Sequence, residues 1–118
     1  MARTYLSNAF SISMISPLPP QGRTVRVRPV SLEEAKSLLQ EGFESAVGHP
    51  STAEVLSALL GLPVEARRVA IALGPGDRAL VFQLAVRLAE GQILSREEVL
   101  ALYERGQASF ALVEVLDQ

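Results

Sequence analysis

A pair of helix-start signals, set among short apolar segments, constrains the fold of this chain more than any other feature. Ser31 is followed three residues later by Glu34, and Ser95 is followed at the same spacing by Glu98. This spacing is typical of a capping box, in which the two side chains satisfy free backbone N–H groups in the first turn of a helix. The first helix is predicted to end near Gly42, and the second is predicted to be short, running through Tyr103 and stopping at Gly106.

The segments around these helices predict a third helix and several strands. Apolar residues recur at helical spacing from Ala53 to Leu60, and Gly61 closes this pattern. Five other runs are short, rich in apolar residues and bounded by turn residues, as strands are; they cover residues 4–9, 24–28, 68–73, 79–86 and 110–116. The run at 79–86 is almost continuously apolar, which is typical of a central strand.

A turn signal lies between two of these runs. Gly74-Pro75-Gly76-Asp77 has proline and glycine at the central positions of a type II turn, so residues 68–73 and 79–86 are expected to form a hairpin. A phosphate-cradling loop is the alternative interpretation of these glycines. Together the segments predict a single domain over residues 1–118 of the α/β (α+β) class, with a mixed sheet of about five strands flanked by about three short helices.

The composition excludes several classes of function. The 118 residues include no Cys, one His and two Asp, so disulfides, thiolate chemistry, a metal site and a cofactor are not expected. A formal net charge of −2, with only four Phe, two Tyr and no Trp, argues against binding of long nucleic acid and against a base-stacking platform. No apolar run reaches the roughly 18 residues of a membrane span, and no leader pattern opens the chain. A cytoplasmic protein with no membrane partner is therefore expected.

The single histidine, His49, is the residue best suited to chemistry. It follows Gly48 and comes just before a helical pattern, and a helix N-terminus favours bound anions such as phosphate. An imidazole at such a position can donate a proton near neutral pH. The alternative is a histidine that caps or packs at the start of the helix. The residue alone does not decide between these interpretations.

Four segments, taken in order, resemble one family. They are Tyr5-Leu6-Ser7-Asn8-Ala9-Phe10-Ser11, Gly48-His49-Pro50-Ser51-Thr52, Arg68 ahead of a predicted strand, and Arg87-Leu88-Ala89-Glu90-Gly91-Gln92-Ile93-Leu94. Together these segments are similar to the viral ring nucleases, anti-CRISPR proteins first known from archaeal viruses, with relatives in phages and bacteria. The likeness covers nearly the whole chain.

The resemblance implies an activity and the residues that perform it. Members of this family are homodimers that bind cyclic tetra-adenylate, the second messenger of type III CRISPR systems, at the two-fold interface. They cut it to linear di-adenylate without a metal, which switches off the CRISPR ancillary effectors. In this chain the resemblance implies His49 as general acid, Glu90 as its supporting glutamate and Arg87 at the reacting phosphate. The ligand-binding residues that it implies are Asn8, Ala9, Phe10, Ser11, Gly48, Ser51, Thr52 and Arg68.

The chemistry of RNA is compatible with so few functional groups. The ribose 2′-hydroxyl is a built-in nucleophile, so an enzyme needs only to align it with the scissile bond and to protonate the departing 5′-oxygen. With one histidine per chain, a mechanism with two imidazoles is excluded within a subunit. Glu90 is then a base, an orienting group or a solvated turn residue, and Asn8 is an adenine contact or a turn residue.

Symmetry adds a further argument for the dimer. A cyclic tetranucleotide is two-fold symmetric, and an isologous dimer presents two equivalent sites to it. A rival function remains, in which a non-catalytic module sequesters the nucleotide or a host partner protein. A DNA-binding protein is disfavoured by the acidic charge balance and by the absence of a basic recognition helix.

Overall fold

The computed structural model of the chain describes residues 3–85 and 95–116. The described residues form one mixed sheet of five strands in the order β2-β5-β4-β1-β3. The strands are β1 (Thr4–Ser7), β2 (Val25–Val30), β3 (Glu44–Ser45), β4 (Arg78–Leu84) and β5 (Ala108–Val115). Three α-helices accompany the sheet, namely α1 (Leu32–Gln40), α2 (Pro50–Leu60) and α3 (Arg96–Glu104), and a 3₁₀ turn spans Ile12–Ile15. The predicted single α+β domain is therefore confirmed.

The direction of the strands determines where their ends meet. β1 pairs in parallel with both β3 and β4, whereas β5 is antiparallel to β4 and to β2. The carboxyl ends of β1, β3 and β4 consequently lie at one edge of the sheet. The segments that follow these three strands begin at Asn8, Ala46 and Ala85. Loops at the carboxyl ends of parallel strands commonly form binding sites.

One face of the sheet packs against all three helices. Its core combines Leu6, Leu80, Phe82, Phe110 and Leu112 from the strands with apolar side chains of the helices. The rings of Phe82 and Phe110 lie 5.2 Å apart between centroids, in a tilted arrangement. Complete burial of such side chains contributes roughly 1.5–3 kcal/mol each. Burial of these side chains therefore stabilises the packing of the helices on this face.

The second face of the sheet is covered by loop segments, and here one sequence prediction was wrong. Residues 68–73 are not a strand. Instead, Ile71 and Leu73 are buried with Met14 against this face, and the Leu73 N–H donates to the carbonyl of Met14 over 2.7 Å. The apolar residues of this run reflect burial against the sheet and not strand pairing. The fifth strand of the sheet is instead β3, which the sequence analysis did not predict.

The turn that follows these residues was predicted correctly, but the hairpin was not. The N–H of Asp77 donates to the carbonyl of Gly74 over 3.0 Å, and Gly76 has a φ of +86°. This is the backbone conformation that a type II turn demands of glycine at its third position. Because residues 68–73 pair with no strand, the turn leads from a covering loop into β4.

The two helix-start signals are confirmed, one of them only in part. At α3, Ser95 and Glu98 form the full reciprocal capping box, with bonds of 2.9 and 3.2 Å. At α1, the Ser31 hydroxyl accepts from the Glu34 N–H over 3.1 Å. The Glu34 carboxylate, however, accepts from Arg28 over 3.2 Å and does not reach back to the cap. An ion pair on the surface has replaced the second half of this box.

No helix within residues 3–85 and 95–116 is both long and apolar enough to cross a membrane.

Candidate functional site

A groove of about 320 Å³ lies at the carboxyl ends of β1 and β3. One wall is the segment after β1, and the other is formed by the segment after β3 together with the covering loop 68–71. Five of the residues that the resemblance singled out line this groove, namely Asn8, Ala9, Ser11, Gly48 and Arg68. The structure therefore brings together side chains that lie up to 60 positions apart in the sequence.

A buried hydroxyl fixes the first wall of the groove. Ser7, the last residue of β1, is only 5% exposed. Its Oγ donates to the Ala9 carbonyl over 2.8 Å and lies 3.3 Å from the Ala9 N–H, which donates back to it. This local turn sets the direction in which the chain leaves the strand. Phe10, which was also predicted to bind the ligand, is 36% exposed and is not among the described residues that line the groove.

The second wall depends on a close approach of two backbones. Val47 and Ala66 form a parallel bridge, and the Arg67 N–H donates to the Val47 carbonyl over 2.8 Å. Gly48 lies directly against Arg68 as a result, with room for only a methyl group between them. The side chain of Arg68 is exposed and, within residues 3–85 and 95–116, its guanidinium pairs with no carboxylate. An unpaired guanidinium on a groove wall is suited to bind phosphate.

His49 follows this wall and begins α2. It occupies the N-cap position, with φ −112° and ψ 118°, but its side chain makes no capping hydrogen bond. The residue is also exposed. The structure therefore supports neither of the two structural roles considered for it, capping through the side chain or packing in the core. His49 directly follows Gly48, which lines the groove, but is not itself among the described residues that line it.

The first turn of α2 has the properties of an anion-binding helix end. Pro50 occupies the first helical position, and the turn contains no acidic residue. Its N–H groups and the helix dipole favour negative charge at this end. Ser51 and Thr52, which were predicted to bind the ligand, are half-buried in this turn. They are not among the described residues that line the groove.

A second depression of about 430 Å³ lies on the other side of Asn8, which lines both. It is bordered by the end of β4 and the start of β5, and its polar side chains are Asn8, Gln83, Gln107 and Ser109. Side-chain amides carry donor and acceptor groups in pairs, as nucleobase edges do. Sequence reasoning missed Gln83 and Gln107, although Gln83 is the one polar interruption of an otherwise apolar strand core.

Two predicted catalytic residues cannot be compared with this geometry. Arg87 and Glu90 lie outside the described residues.

The carboxylate of Asp77 has a structural role far from the groove, since it accepts from the N–H groups of Gly74 and Arg3 over 2.9 and 2.8 Å. In the part of the chain that the structure describes, no three His, Cys, Asp or Glu side chains are grouped so that they could hold a metal ion.

Comparisons with known proteins relate the whole architecture to one group. A family model described as STIV B116-like matches residues 4–107. The chain is 39% identical over 85 residues to the uncharacterized protein ORF117 of Acidianus two-tailed virus, covering 70% of this chain and 73% of that protein. It is 28% identical over 95 residues to the uncharacterized protein YddF of Bacillus subtilis, covering 78% and 84%. The solved structure of B116 of Sulfolobus turreted icosahedral virus superimposes with a TM-score of 0.83 at 31% identity, covering 96% of this chain and 99% of that one.

Proposed function

The chain belongs to the STIV B116-like family, and from that premise and the geometry of the groove we propose that it is a metal-independent ring nuclease. Its substrate is cyclic tetra-adenylate, which it cuts to linear di-adenylate in the cytoplasm of a bacterial, archaeal or virus-infected host cell. Removal of this second messenger switches off the effectors of type III CRISPR immunity.

The convergence of distant residues on one groove carries this proposal. Asn8, Ser11, Gly48 and Arg68 line the groove, and the first turn of α2 with His49 lies next to it. An anionic phosphodiester in the groove would meet the guanidinium of Arg68 and the positive end of a helix dipole. The nearest acidic side chain on α2, Glu54, lies one turn beyond its start. The local charge therefore favours a phosphodiester.

The reaction needs a single proton donor from the protein. The ribose 2′-oxygen forms a bond to phosphorus as the bond from phosphorus to the 5′-oxygen breaks, which yields a 2′,3′-cyclic phosphate and a free 5′-hydroxyl. His49 gives its proton to the departing 5′-oxygen, and the proton of the 2′-hydroxyl passes to solvent or to Glu90. A positioned general acid contributes roughly 10²- to 10⁴-fold. Exposure of His49 allows its re-protonation after each turnover.

A homodimer completes the site by covering the part of the second face that the loop segments leave open, where Val27, Pro29, Gln83 and Ser109 are exposed. On β2, β4 and β5 the strand positions of this face carry no charged side chain; they are Val25, Val27, Pro29, Ala79, Val81, Gln83, Ser109, Ala111, Val113 and Val115. Val27 is 58% exposed on this face. A face without charge can meet its own copy without repulsion, and interface cores are depleted in charged residues. The two-fold symmetric ring would then contact Asn8 and Gln83 of both copies.

The activity is tested with purified protein and cyclic tetra-adenylate in the presence of EDTA. We expect conversion to di-adenylate over many turnovers. His49→Ala should bind the ring with an affinity similar to that of the wild type and cleave it about 10²-fold more slowly or worse. Cyclic tri- and hexa-adenylate, assayed in parallel, measure the selectivity for ring size.

Three outcomes would contradict the proposed reaction. Tight binding by the wild type without cleavage would indicate the rival function, a module that sequesters the messenger. Equal rates for wild type and His49→Ala would exclude the imidazole as the acid. Loss of activity in EDTA, restored by a divalent cation, would exclude the metal-independent mechanism.

A further inference from the structure

Two polar side chains are buried in the described residues, and each belongs to the last residue of a strand that leads into a wall of the groove. They are Ser7, at 5% exposure, and Ser45, at 7%. Burial of a hydroxyl is unfavourable unless it is hydrogen-bonded, so these two positions call for a reason. Ser7 lines the groove itself. Ser45 does not, and its role has to be sought in what it holds.

The contacts of Ser45 lead to the covering loop. Its Oγ donates to the carbonyl of Glu65 over 2.6 Å and is 3.5 Å from the N–H of Val47. Glu65 directly precedes Ala66, which forms the parallel bridge to Val47, and the Arg67 N–H donates to the Val47 carbonyl. Ser45 thus provides one of two ties between the end of β3 and residues 65–67, the other being this backbone bridge.

These ties end at Arg68. The guanidinium of Arg68 is exposed and has no carboxylate partner within residues 3–85 and 95–116. No ion pair therefore holds this side chain, and its location depends on the position of the Arg68 backbone. The Arg68 backbone lies against Gly48: a Cβ built on Gly48 would be 3.7 Å from both the Cα and the Cγ of Arg68. A shift of residues 65–67 would therefore move Arg68 along the groove wall.

We propose that Ser45 is a positioning residue for Arg68: its buried hydroxyl anchors the covering loop so that the guanidinium reaches the phosphate of the ligand. This inference rests on the proposed function, since it assigns Arg68 to an anionic ligand. Ser45 itself touches neither the groove nor the ligand.

The test compares Ser45→Ala with a control, Ser31→Ala. The Ser31 hydroxyl also bonds a backbone group, accepting from the Glu34 N–H over 3.1 Å, but Ser31 lies at the start of α1 and does not line the groove. Both variants should lower the melting temperature. Only Ser45→Ala should raise the Kd for cyclic tetra-adenylate, by roughly tenfold, because small misplacements of a positioning group carry costs of this order. An equal effect of both variants on Kd would overturn the proposal.

A double-mutant cycle with Arg68→Ala separates positioning from a general loss of stability. If Ser45 acts through Arg68, Ser45→Ala should change the Kd by less than about twofold once Arg68 is already alanine. The same tenfold effect in both backgrounds would contradict the inference. If Ser45→Ala does not fold, Ser45→Cys retains the size of the side chain with a much weaker donor and takes its place.

A measurement without ligand keeps this inference distinct from the proposed function. Hydrogen exchange at the Arg67 N–H reports its bond to Val47, and we expect faster exchange in Ser45→Ala but not in Ser31→Ala. If the wild type neither binds nor cleaves cyclic tetra-adenylate, the proposed function fails. The exchange rate then decides whether Ser45 anchors the loop: an unchanged rate in Ser45→Ala refutes the anchor.

Discussion

Gly48 lies flat against Arg68, so closely that a Cβ on the glycine would be 3.7 Å from both the Cα and the Cγ of the arginine. This contact joins the segment that leads into α2 to the loop that covers the second face of the sheet. The glycine is not required by its backbone conformation, since its φ is not positive. A methyl group would fit there in ordinary contact, so the approach limits only side chains larger than that of alanine.

The first prediction concerns side-chain volume at Gly48. Gly48→Ala should be tolerated, because 3.7 Å is an ordinary van der Waals distance. Gly48→Leu should push Arg68 away and raise the Kd for cyclic tetra-adenylate at least about tenfold, for the same reason of misplacement. Isothermal titration of both variants checks this. Equal binding by Gly48→Leu and the wild type would show that the contact does not matter for the ligand.

The elements that the sequence predicted well are those encoded by local chemistry. Ser95 and Glu98 start α3 as a reciprocal box that needs no distant partner. The turn before β4 follows in the same way from proline and glycine at its centre. Such signals act within four residues, so a short segment of sequence is enough to predict these structures.

The elements that the sequence predicted poorly depend on distant partners. Ile71 and Leu73 are buried, as residues of a strand would be, but they belong to a loop that packs against the second face of the sheet. β3 consists of only two residues and exists because β1 offers it a parallel edge. The groove was foreseen only through the family resemblance, since no local pattern joins Asn8 to Arg68. Gln83 was missed because Ser109, its antiparallel neighbour, is 26 residues away in the sequence.

Gln83 provides a second prediction, for the depression beyond Asn8. Gln83 is exposed, and the same depression is lined by the polar residues Asn8, Gln107 and Ser109. Gln83→Ala should therefore leave the melting temperature unchanged. If the amide contacts a base, the Kd for cyclic tetra-adenylate should rise by roughly tenfold, as for the loss of one good base contact. Gln21→Ala, at an exposed glutamine in the loop before β2 that does not line the depression, is the control. Unchanged binding by Gln83→Ala would remove this depression from the site.

The charge-free face leads to a third prediction. Val27 is 58% exposed there, so Val27→Glu should fold normally. A charge on each copy would face its equivalent across a two-fold interface and repel it. Sedimentation should show a dimer for the wild type and a monomer for Val27→Glu, with Gln40→Glu, at an exposed position of α1, as the control for added negative charge. A monomeric wild type would contradict the proposed dimer.

A fourth prediction tests the contact between two helices. The N–H of Leu32, in the first turn of α1, donates to the Tyr103 hydroxyl of α3 over 2.8 Å. Tyr103→Phe removes the acceptor and should lower the free energy of unfolding by about 1 kcal/mol. Urea unfolding measures this loss, and the cleavage rate of cyclic tetra-adenylate should not change. A loss below about 0.3 kcal/mol would mean that water replaces the hydroxyl without cost.

The last prediction separates function from stability at His49. An N-cap side chain normally accepts a hydrogen bond from the first turn, and that of His49 accepts none. Aspartate at this position can accept from the first-turn N–H groups and also favours the positive end of the helix dipole. We therefore expect His49→Asp to unfold with a free energy about 0.5–1 kcal/mol above that of His49→Ala, and to have no cleavage activity. Ser95→Ala, which removes an existing cap, should lose about 1 kcal/mol.

The comparison is informative because the two properties are expected to move in opposite directions. If His49 stabilises the fold, the protein should lose stability when aspartate replaces it. If His49 acts as the general acid, the protein should lose only its cleavage activity. If His49→Asp is no more stable than His49→Ala, the N-cap of α2 is already satisfied by another group. If it is more stable and still cleaves the ring at the rate of the wild type, then the imidazole has no part in the chemistry, and the proton must come from elsewhere in the groove.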